Sequence, residues 1–115
     1  MKKLRLTLVC AVPLLLLLTA CGSKPALAPV TLTEQQNKLF QQSCQTCHAN
    51  AASPAPQMGD IKAWEKRVEK GLPVLVQNAM QGFNAMPAGG MCTICTPDDF
   101  EAMIRYMATA QTKTK

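Results

Sequence analysis

The sequence predicts a small all-α domain of about four helices, packed around a centre that the chain does not itself supply. Four segments place apolar residues at helical spacing behind good capping residues, and no stretch alternates as a strand would. The part that folds is roughly 80 residues long, a size at which a core made only of protein is marginal. Between the helices lie Pro- and Gly-rich loops, 51–59 and 83–95, which add little apolar mass of their own.

The first 20 residues stand apart from this domain. Lys2, Lys3 and Arg5 precede an apolar run from Leu6 to Leu18, and small residues follow. That order describes a bacterial secretory signal, and the apolar run is too short to span a bilayer comfortably. Leu18-Thr19-Ala20-Cys21 resembles the bacterial lipobox. The resemblance implies that Cys21 becomes the first mature residue and carries lipid, with the alternatives of a plain signal cut nearby or an uncut anchor in which Cys21 has no part. Gly22, rather than Asp, after that cysteine points to the outer membrane over the inner by analogy with lipoprotein sorting. Residues 21–32, with Pro25 and Pro29, are expected to form a tether, 33–110 the folded domain and 111–115 a tail.

Removing the signal changes the charge. Three of the 12 basic residues lie in the first five positions and all 7 acidic residues lie beyond position 20, so the mature chain is close to +2. No clustered basic face with aromatic platforms remains, and nucleic-acid binding is not expected.

The first helix begins near Thr33, with Gln36 as its capping-box partner, and passes Leu39 and Phe40 toward Ser43. The second takes Asp60 as N-cap, carries Ile61, Trp64 and Val68, and ends at Gly71. A third has Pro73 in its first turn, then Val74, Leu75, Val76 and Met80, and stops at Gly82. The last is capped by Thr96, with Pro97 first and Asp98 and Asp99 at the positive end of the helix dipole. Its residues Phe100, Met103, Ile104 and Met107 follow the 3.6-residue period.

Between the first two helices stands Cys44-Gln45-Thr46-Cys47-His48. C-x-x-C-H is the string of c-type haem attachment. Two thiols one helical turn apart span the porphyrin edge, and the next histidine falls under the iron as an axial ligand. One haem c is therefore expected, covalently bound. Two other chemistries use the same cysteines. With Cys92 and Cys95 they form C-x-x-C…C-x-x-C, a possible four-cysteine zinc site. A thioredoxin-like redox pair is the second, although no βαβ pattern surrounds it.

His48 is the only histidine, so a second axial ligand must be another residue, or the position is open. Among the methionines, Met103 and Met107 are spaced as core residues, and Met80 also suggests packing. Met58 follows His48 closely, in the loop expected on the histidine side. Met86 lies in Asn84-Ala85-Met86-Pro87-Ala88-Gly89-Gly90, a stretch expected to be non-helical, whose glycines allow the backbone close to a flat ligand. Met86 is thus the candidate and Met91 the alternative. Cys92 and Cys95 form either a short-range disulfide or two free thiols. Lys62, Lys66 and Lys70 recur at i,i+4 beside Glu65 and Glu69, as a solvated face or a patch for an acidic partner.

Taken with these motifs, the chain resembles the class I c-type cytochromes of the cytochrome c5 type over about residues 34–107. The resemblance rests on the haem string, Ala55-Pro56, Gly59-Asp60, Trp64, Arg67, Gly71, Ala85-Met86-Pro87, the Cys92 and Cys95 pair, and Tyr106. It implies the small class I fold wrapped around one haem. It also implies that the Pro56 carbonyl accepts from the His48 ring, that Trp64 and Arg67 lie near a propionate, and that Phe40 meets Tyr106 where the first and last helices cross. Gln36 departs from the pattern, because the family often has glycine there for close helix approach. The crossing is then wider, or the Gln36 side chain lies along the last helix.

His/Met ligation raises a haem's potential and leaves no open iron position. The expected function is single-electron transfer outside the cytoplasm, in the periplasm on a lipid anchor, between redox-protein partners. No enzymatic turnover is expected. The competing expectation is a haem-based ligand sensor or peroxidase-like protein in which the methionine is displaced.

Overall fold

The computed structural model describes residues 27–109, in which there are five α-helices and no strand. The proposed signal, Cys21 and the tail beyond 110 lie outside the described residues. Leu27 and Leu32, in the extended segment before the first helix, pack against the core.

Helix α1 (Glu34–Gln42) starts as its sequence dictates. The Thr33 hydroxyl accepts from the Gln36 N–H at 3.2 Å, and Gln36 Oε1 accepts from the Thr33 N–H at 3.1 Å. The chain breaks at Ser43, with φ −133° and ψ −83°, and Ser43 Oγ donates to the Leu39 carbonyl at 2.6 Å. The motif then forms a separate short helix, α2 (Gln45–His48). The fold therefore has one helix more than the expected four, because the haem string does not continue either neighbour.

Helix α3 (Ile61–Val68) is capped by Asp60, whose side chain accepts from the Ala63 N–H at 3.0 Å. It ends three residues before the Gly71 stop, in turns closed by Lys70 and Gly71 N–H groups. Gly71 instead precedes α4 (Leu72–Gln81), whose inner face is Leu75 and Ala79. Met80, expected to pack, is 43 % exposed, since it sits about 100° round the helix from Ala79. Gly82 follows at φ 86°, where a Cβ would lie 3.0 Å from the Ala88 nitrogen. Only glycine lets the returning loop cross there.

That loop is not wholly irregular. Phe83 and Met86 exchange backbone hydrogen bonds at 3.0 and 2.9 Å, and Ala88–Met91 forms a tight 3-10 turn inside the stretch expected to be non-helical. Gly89 and Gly90 make the turn possible by taking positive φ. Helix α5 (Pro97–Ala108) then begins at a full capping box between Thr96 and Asp99.

Helix α5 supplies the centre of the core: Phe100, Met103, Ile104 and Met107 are all at least 95 % buried. It crosses α1 with the Phe40 ring edge-on to Tyr106, centroids 5.3 Å apart at 77°. At the same crossing Gln36 Nε2 donates to Asp99 Oδ1 at 3.3 Å, so the long side chain reaches across to the last helix.

Candidate functional site

A cleft of about 470 Å³ opens between α2, the loop from 53 to 56, α3, α4 and the turn around 86–91, with Ile104 and Met107 of α5 at its base. Its size lies in the range of small-molecule and cofactor sites. Cys44, Cys47 and His48 share one wall. One turn of α2 places the two thiols together, both free, with Cys44 buried and Cys47 exposed. Burial pushes the Cys44 thiol above its usual range.

The His48 imidazole is 6 % exposed and its Nδ1 lies 2.8 Å from the Pro56 carbonyl. A carbonyl can only accept, so Nδ1 carries the proton and Nε2 is left with its lone pair. Burial pulls His48 below its ordinary range, and the nearby Arg67 charge acts the same way against the Pro56 bond. The ring is thus held neutral, the form that binds a metal. His48 lines the cleft, with Nδ1 taken by Pro56 and Nε2 left as its second ring nitrogen.

Met86 and Met91 both line the cleft, but their settings differ. Met86 is half-buried, its backbone pinned to Phe83, and a Cβ on Gly90 would fall 2.9 Å from its methyl carbon. Gly90, at φ 54°, is the hollow against which the Met86 side chain lies. Met91 is 63 % exposed at φ 69°. Met58 is absent from the cleft lining, and its N–H donates to the His48 carbonyl at 2.7 Å. A disulfide joins Cys92 to Cys95, Cα atoms 5.5 Å apart, just before α5. Only two free thiols remain for the four-cysteine alternative.

Trp64 and Arg67 line the α3 side of the cleft. The Trp64 ring stacks on His48, centroids 5.8 Å apart, and its indole N–H donates to the Gln57 carbonyl at 2.9 Å. That donor is therefore already used, and Arg67 and Lys70 are the cations that line the cleft, Arg67 with the Ala63 carbonyl as its partner. Lys70 reaches over the Phe83 ring, 5.9 Å from its centroid, while Lys62 and Lys66 are exposed. Leu75, Ala79 and Phe83 also line the cleft; the sequence placed Leu75 among the third helix's apolar positions but pointed none of the three to the site. The i,i+4 pair Leu75 and Ala79 was the available signal for a shared face.

Two free thiols on one helical turn, a neutral histidine with one open nitrogen, and an apolar cleft form a donor set that fits a covalently attached haem. The class so defined is the small c-type cytochrome. A family model described as cytochrome C oxidase, cbb3-type, subunit III, matches residues 31–107. Cytochrome c5 of Azotobacter vinelandii is 37 % identical over 67 residues, covering 56 % of this chain and 81 % of its own. Cytochrome c5 of Ectopseudomonas mendocina is 33 % identical over 72 residues, covering 61 % and 83 %. A mono-heme ferrocytochrome c from Shewanella putrefaciens superposes with a TM-score of 0.59 at 36 % identity, over 71 % of this chain and all of that one. A cytochrome c solved in an electron transfer complex with nitrite reductase gives the same TM-score at 31 % identity, over 68 % and 95 %. The chain belongs to the cytochrome c family, as a class I c-type cytochrome of the cytochrome c5 type, and carries one covalent haem c.

Proposed function

We propose that this protein carries single electrons between redox proteins outside the cytoplasm, on one haem c joined to Cys44 and Cys47 and ligated by His48 and Met86. The observation that carries the proposal is the His48 ring, buried on the cleft wall beside both thiols and oriented by the Pro56 carbonyl at 2.8 Å. When bound, the haem supplies a one-electron iron couple.

Each residue then has a physical task. The two cysteines fix the macrocycle's edge. Pro56 holds the imidazole in one orientation and raises its basicity. Met86 offers a soft thioether, which favours the ferrous state, and Gly90 leaves room for it. With His48 and Met86 as its ligands, the iron would serve electron transfer and not substrate binding. The apolar base of Ile104 and Met107 keeps water from the centre. Arg67, on the cleft lining, would meet a propionate.

The likeness to a cytochrome c bound to nitrite reductase supports redox-protein partners for this chain. Such encounters use small, weak interfaces. Export is supported by the pattern of residues 1–20, a lipid anchor by Cys21 after Leu18-Thr19-Ala20, and an oxidising compartment by the Cys92 and Cys95 pairing. Gly22 supports anchoring at the outer membrane.

The test combines attachment and ligation. Purified protein should retain its haem through acid denaturation, and the double variant Cys44→Ala, Cys47→Ala should lose it. Reduced protein should bind carbon monoxide negligibly at neutral pH. Ready binding would overturn the carrier reading in favour of a ligand sensor.

A further inference from the structure

The geometry points to Gln57 as a positioning residue for the axial histidine, an inference that rests on His48 being the proximal ligand as proposed above. Helix α2 is only four residues long, so the carbonyls of its last turn have no partners within it. Two of them are satisfied by the loop that also carries Pro56. The Met58 N–H donates to the His48 carbonyl at 2.7 Å, and the Gln57 side-chain amide donates to the Cys47 carbonyl at 3.3 Å. The same Nε2 donates its other hydrogen to the Ala55 carbonyl at 2.8 Å, and the Gln57 backbone carbonyl accepts the Trp64 indole N–H.

One residue therefore ties three things together. It holds the cysteine-bearing helix, the peptide immediately before Pro56, and the tryptophan stacked on the imidazole. Pro56 has no N–H, so the plane of the Ala55–Pro56 peptide can be held only through the Ala55 carbonyl, which Gln57 Nε2 grips. The orientation of its carbonyl toward His48 Nδ1 depends on the neighbouring groups, and the Gln57 amide is what grips them on the side of α2. By keeping that carbonyl on Nδ1–H, Gln57 sustains the electron density of the imidazole and so sets the iron potential without touching the iron.

The experiment uses the mature holoprotein. Gln57→Met keeps the side chain's length and removes its donors. Asn50→Ala is the control, since it deletes a bond to the Ala52 N–H in the neighbouring turn and leaves the Pro56 clamp intact. In the reduced protein, proton NMR follows exchange of the His48 Nδ1–H, and voltammetry gives the potential. Gln57→Met should speed that exchange about fivefold, the ratio one neutral hydrogen bond typically supports. It should also raise the potential, because a less basic imidazole favours ferrous iron. Asn50→Ala should lower the melting temperature and change neither quantity. If Gln57→Met lowers only the melting temperature, Gln57 is a structural cap and the inference fails. Should Gln57→Met not accumulate with haem, Gln57→Glu, of the same shape without the N–H, gives the same exchange measurement, and unchanged exchange there would equally overturn it. An unsubstituted protein lacking a haem-shifted His48 ring proton would instead refute the ligand assignment on which the inference stands.

Discussion

Replacing Gln36 by glycine, the residue cytochromes of this type often have at the helix crossing, should weaken this fold rather than tighten it. In the structure the Gln36 side chain does two things. Its Oε1 accepts from the Thr33 N–H at 3.1 Å, and its Nε2 donates to Asp99 Oδ1 at 3.3 Å. The first is half of an exposed capping box, worth about 0.5–1 kcal/mol. The second joins elements 63 residues apart and contributes about 1 kcal/mol, at the low end for a charged acceptor because the bond is long. Glycine adds a helix penalty of about 0.5–1 kcal/mol. Together these give about 2–3 kcal/mol, or roughly 10–20 °C in melting temperature for a domain of this size. Thermal unfolding of the holoprotein by circular dichroism measures it directly. A double-mutant cycle with Asp99→Asn should return a coupling of about 1 kcal/mol. An unchanged or raised melting temperature would show that the helices close onto glycine, and that the Gln36 bridge is dispensable.

Met86→Ala should abolish the weak far-red absorption of a thioether-bound ferric haem and lower the potential, while Met91→Ala should leave both, as followed by visible spectroscopy and voltammetry. The reverse pattern would move the ligand by five residues. Cys21→Ser should shift the protein from membrane to soluble fractions or leave it unprocessed, and unchanged processing with continued membrane association would refute the lipid anchor. The Asp99 carboxyl lies below its ordinary 3.8, first through the Thr96 backbone N–H and then the Thr96 hydroxyl. A depressed carboxyl stabilises the fold above the unfolded value and loses that contribution as pH falls through the folded one. Acid unfolding should therefore be less steep below about pH 4 in Asp99→Asn, a small effect because the carboxyl is only half-buried.

Much of the fold was legible because its signals are local. Thr33, Asp60 and Thr96 each cap the helix that their position announces, since a cap acts within three residues. Met103 and Met107 are buried as their i,i+4 spacing demands. Met80 defeated the same logic, because hydrophobicity says that a residue can be buried and not which way its helix turns. Ser43, toward which the first helix was expected to run, is its C-cap; the bond from its Oγ to the Leu39 carbonyl is what the pattern of residues did not show.

By itself, the sequence determined the chemistry: two thiols and a histidine at fixed spacing, where local helix geometry alone brings the groups to one side. It also determined the family, through that string and the residues spaced after it. Only the tertiary structure decided how the groups are held. Pro56 reaches His48 across eight residues, a contact the family resemblance implied; Gln36 meets Asp99 across 63, which settles between the two alternatives for it; and Gly90 supplies the hollow for Met86. Nothing local singles out Gln57, whose two donors find carbonyls only because the loop closes over the end of α2. Such contacts depend on where the chain returns after a turn, and no periodicity or propensity encodes that. Their positions are set by the packing of α5 against α1, α3 and α4.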